Sequence, residues 1–246
     1  MRIAILSDIH ANREAFEAVL QAVRRLAPDT LVLLGDIVGY GPDPGFCVDI
    51  ARELVTAGAI CIRGNHDEAA VHGPAGMTPN AHEAALWTRA QLSAGQSAFL
   101  DSLPLTAKLD GVLFVHASAR DPDAWHYVRD LRSAEACLAA TDAATVVCGH
   151  THLPTIFYAR AGREPVAFIP LRDVPAPLSA VHRHVVVVGA VGQPRDGDPT
   201  ACFALLDTQA REVTMVRVPY DTQDTVQKIR AAGLPDWLGL RLQIGR

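Results

Sequence analysis

The chain has 246 residues, 49% of them hydrophobic and 20% charged, and a formal net charge of −5. That much apolar material excludes a disordered chain, and the acidic balance argues against gripping a long duplex nucleic acid through bulk charge. A small anionic substrate stays possible, provided that local cations neutralise it.

The five cysteines (Cys47, Cys61, Cys137, Cys148 and Cys202) are odd in number and form no CxxC pair. They read as reduced, mostly buried thiols of a cytoplasmic protein. The opening "MRIAILSDIH" lacks the form of a signal peptide, and no apolar run approaches a membrane span.

In chain order, "RIAILS" reads as a short strand and "REAFEAVLQAVRRL" (13–26) as a helix, with Phe16, Val19, Leu20 and Val23 at helical spacing and Asn12 as its cap. "TLVLLGD" has no polar alternation, as in a strand covered on both faces. A Gly/Pro loop, a helix near 46–57 and a strand "AICIRG" follow. This order predicts an α/β layered fold with parallel pairing at its start. Residues 68–104 read as helical. "AKLDGVLFVHA" reads as a hairpin around Asp110-Gly111, followed by a helix near 133–140 and the strand "ATVVCGH". The last third offers strands near 155–160, 184–191, 201–207 and 212–218 and a helix near 222–232, while the Pro-rich stretch 165–177 yields no assignment.

Five apolar runs end in Asp, His or Asn: Asp8 and His10, Asp36, Asn65 and His66, His116, and His150 and His152. On extended backbone, residues i and i+2 point to the same side, so each i, i+2 pair is expected to reach one point. Sites in open α/β sheets form beyond the carboxyl ends of strands. Any one of these residues alone reads as a turn, a cap or a surface histidine. Gathered at one buried edge, they need a counter-charge that a bound cation supplies. Two carboxylates, one amide and four imidazoles without a thiolate suit manganese, iron, zinc or nickel, and seven donors exceed what one tetrahedral zinc needs.

In order, "SDIHAN", "LLGDIVGYGP", "RGNHD", "FVHA" and "CGHTH" resemble the motifs of the calcineurin-like metallophosphoesterase superfamily. The wording of "SDIHANREAFEAVL", "GDIVGYGPDP" and "VGQPRDGDP" is similar to a compact bacterial and archaeal phosphodiesterase-like branch of it. The resemblance implies one domain over 1–246 with a four-layer α/β/β/α sandwich, two mixed β-sheets flanked by helices, and a helical insertion at 68–104 that could act as a lid. It implies two divalent or trivalent metal ions. Asp8, His10 and His152 would hold the first, Asp36 would bridge both, and Asn65, His116 and His150 would complete the second. His150 and His152 would thus each face a different ion. His66 would be a proton donor or phosphate contact. Asp67 would accept its hydrogen bond, fix its tautomer and favour its charged form.

The implied activity is hydrolysis of phosphodiesters or small phosphorylated metabolites by a hydroxide held between the two metals. Dinucleoside polyphosphate hydrolysis and protein phosphatase activity are rival readings, and a non-catalytic metal-binding scaffold is a third. Asn12, Arg195 and Tyr40 are candidate substrate contacts, with helix capping, an ion pair and turn packing as their respective alternatives. The branch leads into "VGQPR" with Asn-Pro-Gly-Ser, whereas this chain has "VVGA". Trp87 reads as core, and His72, His126, His182 and His184 as surface or packing residues.

Overall fold

A period of two in the strands builds the layers. In β1 (Arg2–Leu6), Ile3 and Ile5 join one buried cluster while Ala4 and Leu6 join another. The computed structural model describes residues 1–160, 163 and 165–246. Among these, β1 pairs in parallel with β2 (Thr30–Leu33), and β2 with the two-residue β3 (Ile60–Cys61). The sheet continues antiparallel through β11 (Ala201–Asp207), β12 (Glu212–Val218) and β9 (Ala176–Pro177). The second sheet runs in the order β4 (Thr106–Leu109), β5 (Val112–Val115), β6 (Thr145–Cys148), β10 (Arg183–Val187), β7 (Thr155–Ala159) and β8 (Val166–Phe168).

Ile3, Ile5, Val32 and Leu34 from the first sheet meet Phe114, Val147, Val186 and Ile156 from the second in one buried layer. The outer face of the first sheet is covered by α1 (Arg13–Leu26) and α2 (Pro44–Thr56) through Phe16, Val19 and Val48. That of the second is covered by α6 (Leu131–Ala139) through Ala134, Cys137 and Leu138. The result is the α/β/β/α sandwich of two mixed sheets that the resemblance implied. All five cysteines are free and buried, as expected. The β4–β5 hairpin turns at Asp110 (φ 49°) and Gly111 (φ 77°), the pair of left-handed residues that a two-residue primed turn requires.

Several elements differ from the sequence reading. The strand "AICIRG" pairs over two residues only, and α3 (Asn65–His72) begins at Asn65, so Asn65 and His66 sit in a helix's first turn rather than on a strand end. The helical stretch resolves into α3, α4 (Pro79–Gln91) and α5 (Ala94–Ser102). The unassigned Pro-rich stretch holds β8 and β9, at the edges of opposite sheets, where Pro177 costs no internal ladder bond. After α7 (Thr222–Ala231), which Asp221 caps, comes an unforeseen helix, α8 (Asp236–Ile244). Its sequence "DWLGLRLQI" carries apolar residues on all sides and a central glycine, which hides the face formed by Leu238 and Leu242.

Phe114 is fully buried between the sheets. Phe114→Ala is expected to cost about 3–5 kcal/mol of stability. Urea unfolding should show a lower midpoint with an unchanged slope, and an unchanged midpoint would contradict this inter-sheet packing.

Candidate metal centre

The parallel register of β1 and β2 brings their following loops to one edge, where backbone bonds zip them together. Asp8 N–H donates to Gly35 O (3.1 Å) and His10 N–H to Asp36 O (2.9 Å). The backbone there is not extended. Asp8, His10, Asp36, His150 and His152 all have positive φ, between 50° and 66°. The i, i+2 pairs therefore converge because left-handed bends turn both side chains inward, not because strand alternation does so. Such residues cost on the order of 1–3 kcal/mol each and persist where surrounding structure over-determines them.

The donor atoms gather in two groups. Asp8 Oδ1 lies 3.1 Å from His152 Nε2 and 3.8 Å from His10 Nε2, and the two Nε2 atoms are 3.1 Å apart. His116 Nε2 lies 3.1 Å from Asn65 Oδ1, 3.2 Å from His150 Nδ1 and 3.3 Å from Asp36 Oδ2. Asp36 Oδ2 is also 3.7 Å from His10 Nε2, which places this one oxygen between the groups. The other carboxylate oxygens are held by backbone: Asp36 Oδ1 accepts from His66 N–H (2.8 Å) and Asp8 Oδ2 from His150 N–H (3.1 Å). Glycines make the approach possible. A Cβ on Gly64 would sit 2.2 Å from Asp36 Oδ1, and one on Gly149 would sit 1.9 Å from Ser7 Oγ.

Ring tautomers test whether metal fits. His10 Nδ1 lies 3.2 Å from Val38 O, His152 Nδ1 2.6 Å from Gln193 O, and His116 Nδ1 2.8 Å from Leu34 O. A carbonyl accepts only, so each Nδ1 carries a proton, and the neutral rings of His10 and His152 present an Nε2 lone pair inward. Two lone pairs then face each other at 3.1 Å between His10 and His152. Beside them Asp8 Oδ1 is buried without a hydrogen-bond partner. Cations at these points would turn every repulsion into a bond, so the donor set fits metal ions.

The electrostatics agree. Burial would raise the Asp8 carboxyl, but His152 beside it holds it well below the usual range. Asp36 is likewise held low against its burial by His116 and His66. Burial pushes His10, His150 and His152 down, His150 to about 3, so these rings are neutral and ready to bind a cation. His116 goes the other way. Burial opposes its charge, yet Asp36 lifts it to about 9.

The other expected site residues divide. Asp67 does not bind the His66 ring: its oxygens accept from Val38 N–H (3.2 Å) and Gly64 N–H (3.0 Å), and His66 Nδ1 has no partner. Burial drives His66 down to about 4, so the expected charged form is replaced by a neutral ring. Asp67 instead ties the start of α3 to the loop after β2, and burial lifts its own carboxyl to about 7. Asn12 is not available to substrate. It is buried, and its amide is committed to Ala15 N–H, Gly192 O, Tyr220 Oη and Thr225 Oγ1. Tyr40 does line the cleft, with its ring 4.3 Å from that of His66. Arg195 makes no ion pair among the described residues. It donates to Gln193 Oε1 (2.8 Å) and lies 5.8 Å from the Tyr40 ring centroid.

The centre opens into a cleft of about 570 Å³ whose walls include Tyr40, Asn65, His66, Trp125, Tyr127 and His150. Two of these went unremarked in the sequence. Tyr127 stacks on His150 (4.0 Å between centroids, 22° between planes), and Trp125 meets His116 edge-on at 5.9 Å. "DAWHYV" carries no spacing signal, so only the folded chain reveals them. Gln193 was also missed as the residue whose carbonyl sets the His152 tautomer.

A two-sheet sandwich with Asp and His donors gathered at the ends of its strands defines a metal-dependent phosphoric ester hydrolase. The chain belongs to the calcineurin-like phosphoesterase superfamily, whose domain model matches residues 1–211. It is 32% identical to an uncharacterised protein of Methanocaldococcus jannaschii over 255 residues, which covers 99% of this chain and 98% of that one. Among solved structures, a metallophosphoesterase from Sphaerobacter thermophilus is 40% identical with a TM-score of 0.87, covering 100% of this chain and 99% of that one. A hypothetical protein from Pyrococcus horikoshii shares the fold at 20% identity, with a TM-score of 0.81 and coverage of 100% and 98%. No described helix is long and apolar enough to cross a membrane.

With His116 lifted to about 9, the metal-free ring carries both protons at pH 7.5, and a metal needs its Nε2 lone pair. Loading should therefore release a proton, and apparent metal affinity should rise with pH up to about 9. Manganese titrated calorimetrically at pH 7.5 in two buffers of different ionisation heat should give different enthalpies. Equal enthalpies would contradict this protonation state.

Proposed function

We propose that this chain is a dinuclear metal-dependent phosphoesterase acting on phosphodiesters or small phosphorylated metabolites. The single observation that carries the reading is the placement of Asp36 Oδ2 between two groups of facing ring nitrogens, 3.7 Å from His10 and 3.3 Å from His116. Asp8, His10 and His152 would hold one ion, Asn65, His116 and His150 the other, and Asp36 both. Bound ions supply positive charge that activates water and draws electron density from phosphorus. Manganese, iron, zinc or nickel suit this N/O donor set.

The chain's own groups do the rest. Val38 O, Leu34 O and Gln193 O keep the Nδ1 protons of His10, His116 and His152, so Nε2 is the atom that each would turn to a cation, His116 after releasing the proton its Nε2 carries in the metal-free ring. His66 lines the cleft and, once protonated beside a bound phosphate, would donate that proton to the departing oxygen. A phosphate dianion beside it would raise its basicity and let it carry that proton at neutral pH. Arg195 and Tyr40 lie on the His66 side of the cleft, as groups for orienting substrate. Met77, Thr78 and Ala81 of the helical insertion wall the cleft, which supports its reading as a lid over one domain spanning 1–246. A scaffold could lose donors freely, and here all seven are present and buried or half-buried.

The test is hydrolysis of bis(p-nitrophenyl) phosphate by metal-depleted and manganese-loaded protein. Activity should appear only on loading, and its absence with every metal of the set would sink the reading. Asp36→Asn should nearly abolish turnover and lower the bound-metal content, since the bridging charge is lost. His66→Ala should keep its metals and lose about 10²–10⁴-fold in turnover on alkyl esters, whose leaving groups need a proton. Unchanged turnover on such an ester would remove His66 from the chemistry.

A further inference from the structure

We propose that the hollow behind Trp125 and Tyr127 is an anion subsite for a second phosphate on the substrate, remote from the ester that is cleaved. This rests on the phosphoesterase reading of the neighbouring cleft and names the class of substrate it takes. The hollow measures about 460 Å³, and Trp125 and Tyr127 belong both to its wall and to that of the metal-centre cleft. One aromatic ring therefore separates it from the metal donors: Tyr127 lies flat on His150, and Trp125 lies against His116.

Its charge is positive in a chain whose net charge is −5. Arg120, Arg129 and Arg132 line it, and Asp130 is the carboxylate among its lining residues. Asp130 is engaged in capping α6, accepting from Ser133 N–H (2.8 Å) and Ser133 Oγ (2.7 Å). Asp121 faces Arg120 at 3.5 Å. Among the described residues, Arg129 and Arg132 have no ion-pair partner, and both are exposed. An exposed arginine on a convex surface is merely solvated. Two of them in a concavity beside a phosphate-binding centre present planar forks that match phosphate oxygens two at a time.

The backbone points the same way. Asp121 (φ 45°) and Trp125 (φ 53°) both adopt the left-handed region, on either side of a 3₁₀ turn at Pro122–Ala124. A bulky tryptophan there is a strained outlier, of the kind that concentrates at ligand sites. The double bend sets the indole in the wall that the hollow shares with the metal-centre cleft.

The experiment compares adenosine 5′-monophosphate with adenosine 3′,5′-bisphosphate, which differ by one phosphate and share the base. Calorimetric binding to manganese-loaded protein should favour the bisphosphate by about tenfold or more, the scale of one charge-assisted contact. In the doubly substituted Arg129→Ala, Arg132→Ala protein the two should bind alike, with metal content and circular dichroism unchanged. Equal binding by the unsubstituted protein, or a preference that survives both substitutions, would overturn the subsite. Hydrolysis of bis(p-nitrophenyl) phosphate by the unsubstituted protein, run in parallel, reports separately on the phosphoesterase reading. A bisphosphate preference without hydrolysis would leave the subsite standing and reject the activity.

Discussion

Two imidazole nitrogens, each with its lone pair turned toward the other at 3.1 Å, set the problem that the rest of the site answers. His10 and His152 come from loops on different sheets, and the carbonyls of Val38 and Gln193 deny each ring the alternative tautomer. Without a cation the contact is repulsive, and the buried Asp8 beside it has no donor for one oxygen. With a cation each of these costs becomes a coordinate bond, and part of the binding energy offsets the strain of folding the site. At His116 the metal-free contact is instead an ion pair with Asp36, 3.3 Å away, and a cation there would take the place of the Nε2 proton.

That arrangement depends on backbone that most residues avoid. Five of the donor residues lie in the left-handed region, held by hydrogen bonds between loops and by glycines that leave no room for a side chain. The sandwich provides the rigidity. Its three buried layers anchor the strands whose ends carry these loops, so a local bend cannot relax without disturbing sheet packing. Stability and function thus meet at the strand ends, with the packed layers opposing the strain that the loops hold.

Charge is managed locally rather than globally. The chain is acidic overall, yet Arg195 lies near the centre and the adjoining hollow gathers three arginines. A net negative surface disfavours long polyanions, while these concentrated cationic points suit small ones. His66 illustrates how finely burial decides role. The ring is neutral because it is buried, and the adjacent Asp67 carboxylate is turned to the backbone of Gly64 and Val38 rather than to it.

Much of this was legible in one dimension. Apolar runs marked the central strands, and the Asp, His and Asn residues that end them marked the centre, because a buried strand cannot carry such groups without a purpose. Asp110-Gly111 announced its hairpin for an equally local reason, since few dipeptides accept two positive φ angles. What only the tertiary structure decided was long-range. Asn12 is occupied by Gly192, Tyr220 and Thr225, partners about two hundred residues away in the chain. α8 is defined by its packing against α7 rather than by its own periodicity. Trp125 and Tyr127 became part of the site only when sheet pairing set His116 and His150 against them. Local chemistry is written in neighbouring residues, but tautomers, hydrogen-bond partners and ring contacts depend on which distant segments the sheets bring together.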